Sequence, residues 1–397
     1  MAERNVYMDY SATTPVDKRV VEAMLPYFTE QYGNPNSLYE LGRSAFKTLD
    51  VARDSFVELI GAAHPNELLF TGCGTEADNT AVLGIADAVR TRSGRDQVIV
   101  SAFEHKAVLS PAEYLAKHGY EVTLVQPRTD GIIHAEDLAK LVTERTSIVS
   151  VMHVNNELGT IQPIKELADV AHGKGALFHT DAIQSVGKMD FDVAQLGIDS
   201  ASFSAHKIYG PKGIGALYVK KGTPITPMLI GGGQEFKRRS GTQNVAGAVA
   251  FSTALRIMAE ERAVETPRLA ALRDRLVDEL LGRIENTVLN GDRSRLVPHI
   301  ANFIIKGIEG EAMLLQLDNK GISVSTGSAC SSGSLEPSHV LLAIGCPPEL
   351  AHGSLRVSVG RFTTEEDVDY FMTEFPPIVE RLRAMSPVYA KMYGSGA

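Results

Sequence analysis

Short apolar runs alternate with helical stretches along the first part of the chain. The runs Leu68–Thr71, Val98–Ala102, Glu121–Val125, Ser147–His153, Ala176–His179, Ser200–Ser204 and Gly215–Val219 have the length and composition of strands. Between them lie stretches such as Ile164–Gly173, whose apolar residues recur at helical spacing. This alternation predicts an α/β fold, a mostly parallel sheet covered by helices. From about Gln243 the pattern changes. Helical segments Asn244–Glu261 and Pro267–Ile284 precede strands at Ala301–Ile305, Ile322–Ser325 and Leu355–Val359. A helix over about Thr364–Met385 follows. The change predicts a smaller α+β C-terminal domain. The expected division is an N-terminal arm at 1–15 packing with the small domain, a large domain at 16–258 and a small domain at 259–397.

Size and composition narrow the function. A chain of 397 residues can bury two cores, and 44% hydrophobic with 22% charged residues is ordinary for a globular protein. The most apolar helical segment, Val245–Ala259, carries Ser252, Thr253 and Arg256 and is too short to cross a bilayer. The first residues show no apolar signal core, so a cytoplasmic location without a membrane partner is expected. A net charge of −9 argues against general nucleic-acid binding. Cys73, Cys330 and Cys346 are too few and too scattered for a disulfide framework or a zinc site built from CxxC pairs, so no metal is expected.

Three segments carry candidate chemistry. In Ser202-Phe-Ser-Ala-His-Lys-Ile-Tyr-Gly-Pro-Lys-Gly-Ile-Gly215 a strand runs out through Ser204, His206 and Lys207 into a Gly/Pro-rich loop. Lys207 then leaves the sheet at a carboxyl end, where open α/β sheets place ligands. A desolvated lysine loses its charge readily and can form a Schiff base with an aldehyde. Ser204 and His206 would share one strand face and could bind a phosphate. Phe178-His-Thr-Asp-Ala-Ile-Gln184 presents Asp181, which suits either a protonated pyridine nitrogen or a plain helix N-cap. Phe70-Thr-Gly-Cys-Gly-Thr75 leads a strand into a helix. Backbone N–H groups at such a start, with Gly74 and Thr75, can hold phosphate, though simple capping accounts for the turn equally well. Cys73 in that turn reads as a small packing residue, and Cys346 as structural.

These segments resemble the NifS/IscS-like cysteine desulfurases of the class V aminotransferase superfamily, which have pyridoxal-phosphate fold type I. Further matches are Tyr7-Met-Asp-Tyr-Ser-Ala-Thr-Thr-Pro15, Gly33-Asn-Pro35, Glu104-His-Lys-Ala-Val108, Val154-Asn-Asn-Glu-Leu-Gly-Thr160, Arg239-Ser-Gly-Thr242 and Ser354-Leu-Arg-Val-Ser-Val-Gly-Arg361. The resemblance implies pyridoxal 5'-phosphate bound through Lys207, with His105 stacked on its ring and helping to move protons. It implies Asn155 and Gln184 near the ring hydroxyl, and Gly74, Thr75, Ser204 and His206 at the phosphate. Thr242 would reach the phosphate of a neighbouring subunit, making a homodimer with shared sites. Arg356, together with Asn155, would bind the substrate L-cysteine. The chain departs from the family at Tyr39, where His is common, and at Gly72-Cys-Gly-Thr75, where Ser-Gly-Ala-Thr is common.

Val324-Ser-Thr-Gly-Ser-Ala-Cys-Ser-Ser-Gly-Ser-Leu-Glu-Pro337 sets Cys330 among small residues, which suits an accessible, moving thiol better than a packed one. The resemblance makes Cys330 the nucleophile that takes sulfur from cysteine and passes it to an iron–sulfur scaffold or another acceptor. An aminotransferase, a selenocysteine lyase or a catalytically silent scaffold on the same fold stays open on sequence alone.

Overall fold

The computed structural model describes residues 4–326 and 336–393. Cys330 lies outside the described residues. The strands are β1 (Val6–Tyr7), β2 (Leu68–Thr71), β3 (Gln97–Ser101), β4 (Glu121–Val125), β5 (Thr146–Ser150), β6 (Leu177–Asp181), β7 (Ser200–Ser204), β8 (Gly215–Val219), β9 (Thr287–Leu289), β10 (Ile300–Ile305), β11 (Ile322–Ser323) and β12 (Ser354–Ser358). The main sheet has the order β2-β8-β7-β6-β5-β3-β4. β8 runs antiparallel to both neighbours, and the other pairs are parallel. The expected α/β fold with a mostly parallel, mixed sheet is what the chain adopts.

Strand alternation sends neighbouring side chains to opposite faces. Along β2, Leu68 and Phe70 join a core with Phe56, Phe203 and Phe251. Leu69 joins another with Ala77, Val82 and Ile85, all on the helix Gly74–Ser93. β5, β7 and β8 are buried at every residue, as expected of strands covered on both faces.

A further core surrounds β10 and β12. There Phe303, Leu355 and Val357 meet Leu272, Leu276, Phe371 and Phe375. Val6 and Met8 from the N-terminal arm pack into it, and β1 pairs in parallel with β11, Val6 opposite Ile322.

Two local expectations change. The two helical segments expected on either side of residue 266 form one helix, Val245–Arg283, with Pro267 inside. Proline removes one rung of the hydrogen-bond ladder. Here the flanking residues are anchored from the side: Thr266 Oγ1 donates to Lys188 O (3.3 Å) and Arg268 Nη1 to Thr363 O (2.7 Å). The strand expected to run through Lys207 stops at Ser204, and Ala205–Lys207 is a single 3-10 turn. The chain doubles back too tightly for extension. Ile208 and Gly210 both donate to Ala205 O at 3.0 Å, and a Cβ on Gly210 would sit 2.8 Å from Ala205 Cβ.

Candidate active site

A cavity of about 320 Å3 opens beside the carboxyl ends of β6 and β7. Gly74 and Thr75 enter it from the helix start, His105 from the start of the helix Lys106–Lys117, and Arg356 from β12. Asp181, Gln184, Ser204, His206 and Lys207 complete much of the wall, with Ser11 and Ala12 from the arm. Ser204 and His206 meet there although the strand alternation invoked for them fails, because the 3-10 turn carries His206 round to the same wall.

Lys207 Nζ donates to Ser11 O and Ala12 O, both at 2.6 Å. Asp181 ends β6, and its Oδ1 accepts from Ile183 N at 2.9 Å, so the residue also closes its own turn. Burial pushes its carboxyl up to about 6, against the opposing pull of that N–H and of Lys207. His105 caps its helix, Nδ1 accepting from Ala107 N at 3.1 Å. Burial first, then Lys207 and His339, push its pKa down to about 4. The ring is therefore neutral at ordinary pH, with its proton on Nε2. His206 is also pushed down to about 4, chiefly by burial, and its Nδ1 lies 3.1 Å from Thr13 Oγ1. Arg356 is 3% exposed, donating to Asn156 O (2.9 Å) and to Asp9 Oδ1 (2.8 Å).

Buried acids back this wall. Burial lifts Glu104 to about 8, while Met152 N donates to its Oε1 at 2.6 Å. Glu157 is lifted to about 7 by burial and accepts from Ser338 Oγ at 2.5 Å. Asp78 lies on the cavity itself, 3.8 Å from His179 Nε2, and burial and then Asp181 raise its pKa well above the usual carboxylate range.

Some expected site residues stand elsewhere. Asn155 is fully buried and is not on the cavity wall. Its Nδ2 donates to Phe103 O (3.0 Å), and its Oδ1 accepts from Glu157 N and Leu158 N (both 2.9 Å). The next residue, Asn156, lines the cavity instead. Thr242 is exposed and away from the cavity of its own chain. Cys73 is not a packing residue: it is exposed, borders the cavity and caps the helix, its Sγ accepting from Glu76 N at 3.4 Å. Sequence reasoning did not single out Asn156, Asp78 or the carbonyls of Ser11 and Ala12. Asn155 had a local signal, since an Asn two residues before a turn often binds its own following N–H groups. Backbone carbonyls leave no such signal.

The donor set fits pyridoxal phosphate. An amine, a carboxylate, a neutral imidazole and a helix start flanked by hydroxyls surround one cavity. A Cβ on Gly74 would stand 2.4 Å from Ile183 Cδ1 and 3.1 Å from Ser204 Cβ, so the wall packs closely at this helix start. Arg356 Nε and Ser11 Oγ are buried without a hydrogen-bond partner among the described residues, which suits a polar guest.

Known proteins show the same arrangement of chain. The family model for aminotransferase class-V matches residues 6–371. A cysteine desulfurase IscS of Dictyoglomus turgidum is 46% identical over 385 residues, 97% of each chain. The cysteine desulfurase NifS of Azotobacter vinelandii is 45% identical over 386 residues, 97% of this chain and 95% of that one. A solved NifS-like protein superposes with a TM-score of 0.88 at 38% identity, covering 96% of this chain and 100% of that one.

Proposed function

The chain belongs to the class V aminotransferase family, and on that footing we propose that it is a pyridoxal-phosphate-dependent cysteine desulfurase. It converts L-cysteine to L-alanine and leaves the sulfur as a persulfide on Cys330. The observation that carries the reading is the convergence of Lys207, Asp181, His105 and Arg356 on one cavity in a chain nearly half identical to cysteine desulfurases.

Each residue has a task. The bound cofactor supplies an electron sink for charge developing at the substrate α-carbon. Lys207 would hold the cofactor aldehyde and could then serve as the base that takes the α-proton. Asp181 keeps the pyridine nitrogen protonated, the cation in turn favouring the carboxylate that burial alone disfavours. His105 would cover the ring and relay protons through Nε2. Gly74, Thr75, Ser204 and His206 would hold the phosphate, and Gln184 and Asn156 would contact the bound cofactor. Asn155 acts behind Asn156 through the turn it closes. Arg356 pairs with the substrate carboxylate; its guanidinium fork suits that geometry. The Cys330 thiolate attacks the substrate sulfur. The substrate Cβ–S bond breaks, an S–S bond forms on Cys330, and the β-carbon ends as the methyl group of alanine.

The chain works as a cytoplasmic homodimer, with the arm at 1–15, a large domain at 16–258 and a small domain at 259–397 bearing the Cys330 loop. Phe28, Tyr32, Leu38 and Ile230 are exposed apolar residues that a partner could cover, and exposed Thr242 is available to the partner's phosphate. The persulfide passes to an acceptor protein for iron–sulfur assembly or thiolation. The test is alanine release from L-cysteine together with the visible absorbance of the lysine-bound cofactor. Cys330→Ala should keep the absorbance and lose sulfur transfer, and Lys207→Ala should lose both. Wild-type sulfide release by Cys330→Ala would remove the nucleophile from the proposal.

A further inference from the structure

The carboxamide of Gln184 sits between two groups that leave it one orientation. Its Nε2 donates to Ser11 O, an acceptor only, at 2.9 Å. Its Oε1 accepts from Lys188 Nζ at 2.8 Å. The two ends of a carboxamide are nearly alike in shape, so its partners decide which end faces which way. Ser11 O also accepts from Lys207 Nζ at 2.6 Å. A hydrogen-bonded path therefore joins Lys188, through Gln184 and Ser11, to the lysine that holds the cofactor.

Lys188 is an unusual residue for this place. Its other polar neighbour is His299 Nε2, at 3.1 Å, and no carboxylate is among its described partners. Burial, with the nearby charge of Lys207, pushes its pKa well below the usual lysine range. An apolar side chain would pack here without that desolvation cost. His299 is buried at the start of β10, and its carbonyl accepts from Val359 N at 2.9 Å, just beyond the strand that bears Arg356. The Lys188–His299 contact thus joins the Gln184 wall to the neighbourhood of the substrate-binding arginine.

We propose that Lys188 is a positioning residue: backed by His299, its amine fixes the Gln184 amide so that Nε2, and not Oε1, faces Ser11 and the cofactor cavity. The proposal rests on the reading of Gln184 as a cofactor contact. Without the lysine the amide can turn over, presenting an acceptor where Ser11 O and the cofactor oxygen need a donor.

The experiment is a double-mutant cycle on the holoenzyme, with Lys188→Met, Gln184→Ala and the pair. The cofactor dissociation constant and the pH dependence of its visible band are measured by titration. Lys188→Met should weaken cofactor binding roughly 3- to 10-fold, the factor one hydrogen bond supplies, and shift the band's pH dependence. Lys188→Arg, which keeps a donor, should restore both. In the Gln184→Ala background Lys188→Met should add nothing. If Lys188→Met does not fold, Lys188→Gln takes its place with the same expectation. Unchanged binding and spectrum in Lys188→Met would overturn the proposal. So would an undiminished effect in the Gln184→Ala background, which leaves the Gln184 contact standing. No effect of Gln184→Ala itself would overturn the Gln184 reading, and the proposal with it.

Discussion

At the residue scale, two adjacent asparagines divide labour. Asn155 spends its amide on the backbone of its own turn and on Phe103 O. Asn155→Ala should cost about 1–3 kcal/mol of stability, read from denaturant unfolding, because it strands buried backbone groups. Asn156→Ala should leave stability near wild type and weaken cofactor binding or turnover. The sequence offered Asn-Asn without saying which faces inward, since a turn has no fixed period. The βα alternation placed Asp181 and Lys207 near the carboxyl ends of their strands, whereas Arg356, in the middle of β12, was named only through the family resemblance. Glu104 makes a separate prediction. Its folded pKa, about 8, lies above the ordinary 4.5. The folded state therefore holds a proton that the unfolded state has released, and stability falls as pH rises from about 4.5 through 8. Above about pH 6.5 the buried histidines progressively lose their opposing contribution, and Lys188, whose pKa burial lowers, opposes the trend in wild type and variant alike. Glu104→Gln should flatten the loss of melting temperature between pH 6.5 and 8, with Glu157 still contributing in the same direction.

At the element scale, the strand pattern was readable because covered strands are mostly apolar or small, whereas ends and turns depend on close backbone approach. The stop of β7 at Ser204 follows from the fold-back onto Ala205 O, which no periodicity reports. The continuous helix through Pro267 likewise depends on tertiary anchors at Thr266 and Arg268. The segment before Thr242 shows the same dependence. Glu235, Phe236 and Lys237 all have positive φ, at 43°, 59° and 64°. Such backbone costs energy at non-glycine residues and persists only where it is held. Arg53 holds it, donating to Glu235 from Nη1 (2.8 Å) and Nη2 (2.9 Å), while Phe70 N donates to the same carboxylate at 3.0 Å. Arg53→Met should cost about 3–5 kcal/mol, because a buried carboxylate loses its partner. Chemical denaturation measures the loss.

At the scale of the whole molecule, the N-terminal arm links the core around β10 and β12 to the cavity. Val6 and Met8 sit in the core around β10 and β12, while Ser11 and Ala12 reach Lys207. Assembly should complete the site. Ile230 is 93% exposed in the segment that leads to Thr242, the residue assigned to the partner's site in the proposed homodimer. If the proposed homodimer forms through this segment, Ile230→Asp should shift sedimentation toward monomer and weaken cofactor retention together. Unchanged sedimentation would place the dimer contact elsewhere.

The most direct measurement is to incubate the purified protein with L-cysteine, without reductant, and map protein-bound persulfide by mass spectrometry while assaying alanine. Persulfide on Cys330, with alanine formed in matching amount, is the predicted result. Alanine without persulfide on Cys330, or bound cofactor with neither product, would contradict the account.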